Sequence, residues 1–391
     1  MRSFRLFILF YFALMTILHS SATNTLTESE SFSEDFKGLH NPISLSSLRW
    51  VFPKRSTLLQ AQNFYLVSDE GDFIFFQIAQ TCLPLFSFVQ ASLRYFSKEK
   101  GLNLLLTQTF KFSEWSLSKK ENTPNSDFIT SSVGPLTVEF MESPTPGFNI
   151  SYSGSNAVFS VQLQSICAPL TLRDGIVEFQ SSKASGSFSF KYAPQFVFTG
   201  SIEAEGLPKR PISGMASLNL VTQLIEPHLA ASKWCFFYFV AKGKERLTFS
   251  LLHFLTTALF HKKDFSQGIL TIDGKVIGLT LNNSITFIKQ KITEQSGGYA
   301  LPSQIHLVFD GIGPGGSTDV WRLEAHIPLE TCVDRLDLLA HIPYFIRKVI
   351  QALLSKPYCF QWFDDIKITL TRQGKPQFYE GKIFSEVLYI C

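Results

Sequence analysis

Asn63-Phe64-Tyr65-Leu66-Val67, then Ser68-Asp69-Glu70-Gly71-Asp72, then Phe73-Ile74-Phe75-Phe76-Gln77-Ile78: two aromatic, apolar runs close around an acidic turn that contains glycine. Aromatic and β-branched side chains suit a pleated, packed surface. A short polar segment with Gly between two such runs signals an antiparallel hairpin. The pattern repeats outward over 104–112, 136–142, 148–152, 157–163, 186–192 and 196–203, with turns at 143–147 and 152–155. Gly206-Leu207-Pro208-Lys209-Arg210-Pro211 is the strongest internal punctuation, and 221–232 leads into a second series of runs between Trp234 and Ile390. Short strands at near-regular spacing predict a barrel or sandwich. The two halves have similar length and strand density, so the reading is a mainly β chain with two tandem antiparallel barrel-like domains, 48–220 and 221–391. One amphipathic helix is expected near the C-terminus. Ile342, Phe345, Ile346, Val349, Ile350, Leu353 and Leu354 follow helical spacing, with Pro343 near the start and Pro357 as the stop. It would pack across a barrel, or serve as a membrane-facing lid.

Composition narrows the function. Of 391 residues, 45% are hydrophobic and only 17% charged, against about 25% charged in a typical soluble domain. The 39 phenylalanines fit either packed cores or an aromatic-lined cavity. A net charge of +3, with no basic patch, argues against nucleic acid as a partner. Arg2 and Arg5 precede an apolar run from Leu6 to Leu18, and Ser20-Ser21-Ala22 follows. That order reads as a signal peptide or ER anchor over 1–22, with a flexible linker over 23–47. Asn149 and Asn282 head glycosylation triplets. Six cysteines permit three disulfides, without a zinc-type spacing.

Signatures of catalysis are missing. There is no HExxH, GxSxG or Walker loop, and the eight histidines are dispersed. Gly311-Ile312-Gly313-Pro314-Gly315-Gly316 matches GxGxxG, but Pro314 interrupts it and a strand-like run follows, so it reads as a hairpin loop. Neither a catalytic set, a metal site nor a cofactor is expected.

Three segments resemble the fungal survival-factor family. Pro227-His228-Leu229-Ala230-Ala231-Ser232-Lys233-Trp234-Cys235-Phe236-Phe237-Tyr238-Phe239 is similar to its PHHAAAKWNFxxF stretch. Arg335-Leu336-Asp337, Pro343, Lys356-Pro357-Tyr358 and Gln361 resemble its RxDxxAxxPxF…KPYxxQ ending. Residues 62–71 resemble its TFYxxTDDG hairpin. Leu229 stands where the pattern has a second His, and Cys235 where it has Asn. The resemblance implies tandem lipocalin-like barrels and a non-enzymatic carrier of ceramide, with a link to stress survival. On that basis Trp234, Phe236 and Tyr238 are expected as wall residues on one strand face, and His228 and Lys233 near the rim. Arg335 and Asp337 are expected as a structural ion pair. Typical members reach membranes through an N-terminal amphipathic helix. The signal-like leader here places the protein in the ER or secretory pathway, with the cytosolic face of ER–Golgi membranes as the alternative. Two other functions fit the same sequence: a hydratase- or cyclase-type enzyme using His228 or Asp337, and an interaction module with a filled interior.

Overall fold

The computed structural model describes residues 39–50, 58–83, 86–118, 130–142, 145–204, 206–293, 296–314, 319–337 and 357–390. The first half forms β1 (His40–Pro42), β2 (Leu58–Ser68), β3 (Phe73–Leu83), β4 (Phe86–Ser97), β5 (Leu102–Lys111), β6 (Trp115–Ser118), β7 (Thr130–Val133), β8 (Leu136–Met141), β9 (Gly147–Ser153), β10 (Ala157–Ser165), β11 (Leu170–Leu172), β12 (Ile176–Gln180), β13 (Ser185–Ala204) and β14 (Leu207–Gln223). The second half forms β15 (Ala231–Ala241), β16 (Leu247–Thr256), β17 (Asp264–Ile272), β18 (Lys275–Thr280), β19 (Asn283–Ile288), β20 (Lys291–Ile292), β21 (Ala300–Leu301), β22 (Gln304–Ile312), β23 (Val320–Pro328), β24 (Cys332–Asp337), β25 (Tyr358–Arg372) and β26 (Lys375–Tyr389).

These strands make two barrel-like antiparallel sheets. The first follows the path β5-β4-β3-β2-β14-β13-β10-β9-β8-β7-β6, with β5 and β6 as its ends. The second follows β18-β17-β16-β15-β26-β25-β23-β22, and Leu279 of β18 pairs with Ile312 of β22 to close the ring. Closure of eight strands gives an interior that side chains fill or that holds one small ligand.

The opening hairpin is β2–β3, in the register Phe64↔Phe76 and Leu66↔Ile74. Gly71 takes φ +85° in its turn, where Ser68 Oγ accepts from the Asp72 amide at 2.9 Å. Both faces of the hairpin are covered. Phe64, Leu66, Ile74 and Phe76 face the first barrel's interior, while Tyr65, Val67, Phe73 and Phe75 belong to a second core shared with the other barrel. Burial on two faces explains why the sequence here is nearly continuously apolar rather than alternating.

That shared core is a seam between the barrels. Phe73 stacks on Phe384 with centroids 4.5 Å apart, and Tyr65 lies 4.6 Å from Phe236. Phe188 and Phe190 each approach Trp234 at 5.9 Å. Polar contacts lock the register. The Tyr192 hydroxyl donates to Gln267 Oε1 at 2.7 Å, and Gln195 Oε1 accepts from the Gly274 amide at 2.7 Å. Gln195 reaches the seam because β13 bulges between Ala193 and Phe196, and a bulge re-aims a side chain.

Several expectations change here. The runs 186–192 and 196–203 are one bent strand, β13, not two. Gly206–Pro211 turns β13 into β14. Pro208 and Pro211 are tolerated because β14 pairs with β2 only from Gly214 onward, leaving that stretch at an edge. The expected boundary at 220/221 falls inside β14, and the second sheet opens at Ala231. The end of the expected linker is folded: His40–Pro42 pairs with Leu170–Leu172, and Leu45 and Leu48 are buried. The polar residues around these leucines hid their spacing. The expected leader over 1–22, the helix over 342–354 and its Pro343 lie outside the described residues. The strands flanking the GxGxxG segment, β22 and β23, pair antiparallel with Ile312 opposite Val320, while 315–318 lie outside the described residues.

Candidate functional site

The inward face of the second barrel grades from polar to apolar along its axis. Cross-strand partners share a face, so each row of the register is a ring of neighbours. The outermost row is Tyr358, Tyr389, Lys233, Leu255 and Asp264, carried on β25, β26, β15, β16 and β17. One step inward lie Phe360, Val387, Cys235, His253 and Ser266. The next row is Trp362, Ser385, Phe237, Leu251 and Gly268. Below it the row Ile383, Phe239, Phe249 and Leu270 is apolar, with Phe309 beside it, except for Asp364, a buried carboxylate whose Oδ1 accepts from the Thr331 amide and whose Oδ2 has no partner among the described residues.

Polar atoms at this mouth are incompletely paired. His253 is 7% exposed; its Nε2 lies 3.0 Å from Asp264 Oδ1, and its Nδ1 is buried without a partner among the described residues. Burial, with the positive charge of Lys233 adding to it, pushes the imidazole down to about 4 against the pull of Asp264, so it is neutral near pH 7. Asn283 Nδ2 donates to Ser266 Oγ, leaving Asn283 Oδ1 buried and unpartnered. Ser385 Oγ, one row deeper and fully buried, is also unpartnered. Buried polar groups are nearly always satisfied in folded proteins, because an orphaned one costs about 1–3 kcal/mol. These three orphans all lie on the inward side of the second barrel. Lys233 Nζ sits 4.3 Å above the Phe287 ring at the rim. The Cys235 thiol is pushed up to about 12 by burial and is inert as a nucleophile.

The residues expected from sequence separate into three places. Lys233 lies in the outermost row of this inward face. Tyr358 is in the same row, and its hydroxyl donates to Asp337 Oδ2 at 3.2 Å. Arg335 is the cross-strand neighbour of Phe360 on that inward side. Trp234, Phe236 and Tyr238 do share one face of β15, but it is the seam face; the lumen is lined by the alternate residues Lys233, Cys235 and Phe237. Gln361 also faces the seam, where it accepts from Arg94 Nη1 and donates to Glu386 Oε2. Arg94 pairs with Asp334 at 3.0 Å there. Burial pushes the Glu386 and Asp334 carboxyls up even so. His228 lies on the single helical turn Pro227–Ala230 that connects the sheets, and burial lowers its basicity. Asn149 is partly exposed on β9 and Asn282 is exposed in the turn after β18. Cys82, Cys167, Cys235, Cys332 and Cys359 are unbridged. Sequence reasoning missed His253, Ser266, Ser385 and Asn283. The available signal was His253 itself, a lone polar ring inside the apolar run Leu251-Leu252-His253-Phe254-Leu255.

Two joined barrels, one with a polar mouth over an aromatic floor, define a tandem lipocalin-like β-barrel protein. Solved structures share this fold. CghA with Sch210972 superposes with a TM-score of 0.61 at 9% identity, covering 91% of this chain and 96% of that one. Kievitone hydratase from Nectria haematococca gives 0.52 at 14% identity, covering 90% and 98%. The Svf1 family model matches residues 15–391, and the chain belongs to that family. The ceramide-binding protein svf1 of Schizosaccharomyces pombe is 23% identical over 355 residues, 89% of each chain. The ceramide-binding protein SVF1 of Kluyveromyces lactis is 28% identical over 163 residues, which is 40% of this chain and 39% of that relative. The one from Debaryomyces hansenii is 26% identical over 206 residues, 52% of each. These last two matches therefore span about half or less of the relatives' length.

Proposed function

We propose that this protein is a non-enzymatic ceramide carrier whose head-group site is the mouth of the second barrel. The observation that carries the reading is the axial gradient: orphaned His253 Nδ1, Asn283 Oδ1 and Ser385 Oγ above a floor of Phe237, Phe249 and Phe309. A ceramide has the matching polarity, with an amide and hydroxyls at one end and acyl chains at the other. Each buried methylene contributes about 0.8 kcal/mol, so the floor supplies affinity and the orphaned groups supply orientation. The names of the family relatives support the same ligand. We place the protein in the early secretory pathway, at a membrane surface from which it takes its lipid and in support of stress survival, on the strength of its signal-like leader and its family.

The test is lipid extraction and mass spectrometry of protein purified from a fungal host. Stoichiometric ceramide in the wild type, and its loss in Ser266→Phe, which fills the mouth, is the expected result. Protein free of lipid, or a filled mouth that retains it, overturns the reading. A second reading rests on the His253–Asp264 pair, which is also the arrangement of a general base and its orienting carboxylate. Lipid recovered chemically unchanged after prolonged incubation supports the carrier; conversion that depends on His253 supports a hydratase- or cyclase-type enzyme.

A further inference from the structure

The outward face of the second barrel brings together side chains that are far apart in the sequence. His306 on β22 and His326 on β23 are direct cross-strand partners, and their rings stack 4.4 Å apart at 9°. Glu324 lies two residues before His326, on the same outward face of β23. Its Oε1 is 2.9 Å from His306 Nε2 and 4.0 Å from His326 Nε2. One ligand atom from each of the three lies within 4.8 Å of the others. The frame beneath is rigid. Ile305, Leu307, Ala325 and Ile327 alternate with these residues, point inward and are 2% exposed or less. Two strands are thus held in a register that presents two imidazoles and a carboxylate to solvent, with side-chain exposures of 29%, 58% and 42% for His306, His326 and Glu324.

We propose that His306, Glu324 and His326 form a surface site for a borderline divalent transition metal of the zinc class, clamping β22 to β23. Two imidazole nitrogens and one carboxylate oxygen suit such an ion, which takes three protein ligands with water completing a tetrahedron. Magnesium and calcium favour all-oxygen shells and are excluded by this ligand set. Without metal, the carboxylate can only accept, so His306 Nε2–H donates to Glu324. On binding, that proton moves to Nδ1 or to solvent, Nε2 turns its lone pair to the ion, and the shared hydrogen bond becomes two coordinate bonds. The site is remote from the lumen and independent of the lipid reading. It was invisible to motif search because its ligands come from two strands in cross-strand register.

The test uses the full-length chain stripped of metal by chelator. Titration with Zn²⁺ by calorimetry is expected to show one equivalent. A Co²⁺ derivative is expected to show the visible bands of a low-coordinate nitrogen–oxygen site. His306→Asn, His326→Asn and Glu324→Gln are each expected to weaken binding at least about a hundredfold, since even outer-shell changes cost 10–100-fold. Zn²⁺ is expected to raise the melting temperature of the wild type but not of these variants. Absence of a stoichiometric site in the wild type overturns the proposal. So does binding undiminished in all three variants, or equal binding of Mg²⁺.

Discussion

The seam and the mouth are built from alternate residues of the same strand, and they satisfy their polar groups to different degrees. At the seam, Phe236 packs on Tyr65, Tyr192 donates to Gln267, and Gln195 is bonded at both ends of its amide. At the mouth, Lys233, Cys235 and Phe237 face a lumen where His253, Asn283 and Ser385 each keep an unsatisfied atom. The difference is one of number, since the seam also keeps one orphan, the buried Tyr238 hydroxyl, among many closed hydrogen bonds. The contrast indicates that aromatic content alone does not identify a lipid site in this protein. The aromatic face of β15 is the structural one.

Phe236→Ala is expected to have the largest effect. The side chain is 3% exposed against the first barrel, so its removal is expected to cost about 3–5 kcal/mol of stability. Chemical denaturation measures that loss, while lipid bound per folded molecule stays unchanged. A loss of lipid without a loss of stability would reverse the roles of the two faces.

Next in size is the response of the mouth to acid. His253 is held down at about 4 in the folded chain, against its ordinary 6.5. A histidine with a depressed folded value makes the unfolded state the better proton binder below 6.5. Its neutral burial therefore contributes fully above that pH and is lost as pH falls toward 4, by about 3 kcal/mol in total. Denaturant midpoints across this window should fall in the wild type and flatten in His253→Gln.

A smaller effect sharpens the ligand side. Asn283→Leu removes one orienting acceptor without touching the seam, and is expected to weaken ceramide binding about tenfold to a hundredfold, as for one buried hydrogen-bonding group. Competition against a fluorescent ceramide measures it. The smallest concerns Glu386, one of the two seam carboxyls that burial pushes up. Because burial raises Glu386, its ionisation opposes folding as pH rises above the usual carboxylate range. Glu386→Gln is expected to stabilise by about 1 kcal/mol at pH 7, a gain that disappears on acidification as wild-type Glu386 is protonated.

Much of the architecture was legible in the chain. The hairpin 63–78 and most second-half strands lie where composition and turn residues put them, because local propensity and tertiary packing agree there. Strand β4 (Phe86–Ser97) was missed, since its mixture of Ser, Gln and Arg with aromatics breaks any clean alternation. β13 was split in two by Ala193-Pro194, which the structure absorbs as a bulge. Among candidate site residues, Lys233, Tyr358 and Asp337 came together as a group. His253, Ser266 and Asn283 did not suggest themselves, because each is an ordinary residue until the register makes them neighbours.

The β class, the two-part organisation and the shared face of Trp234, Phe236 and Tyr238 follow from local pattern alone. A period of two sorts residues into sets regardless of what those sets touch. Which set looks into the barrel is set by long-range packing, because both faces of β15 are apolar and either could have been buried against either partner. Closure of the second sheet, through Leu279 and Ile312, and the docking of the first barrel on Phe236 and Phe384 made that choice. Those are long-range contacts, and no local pattern encodes them.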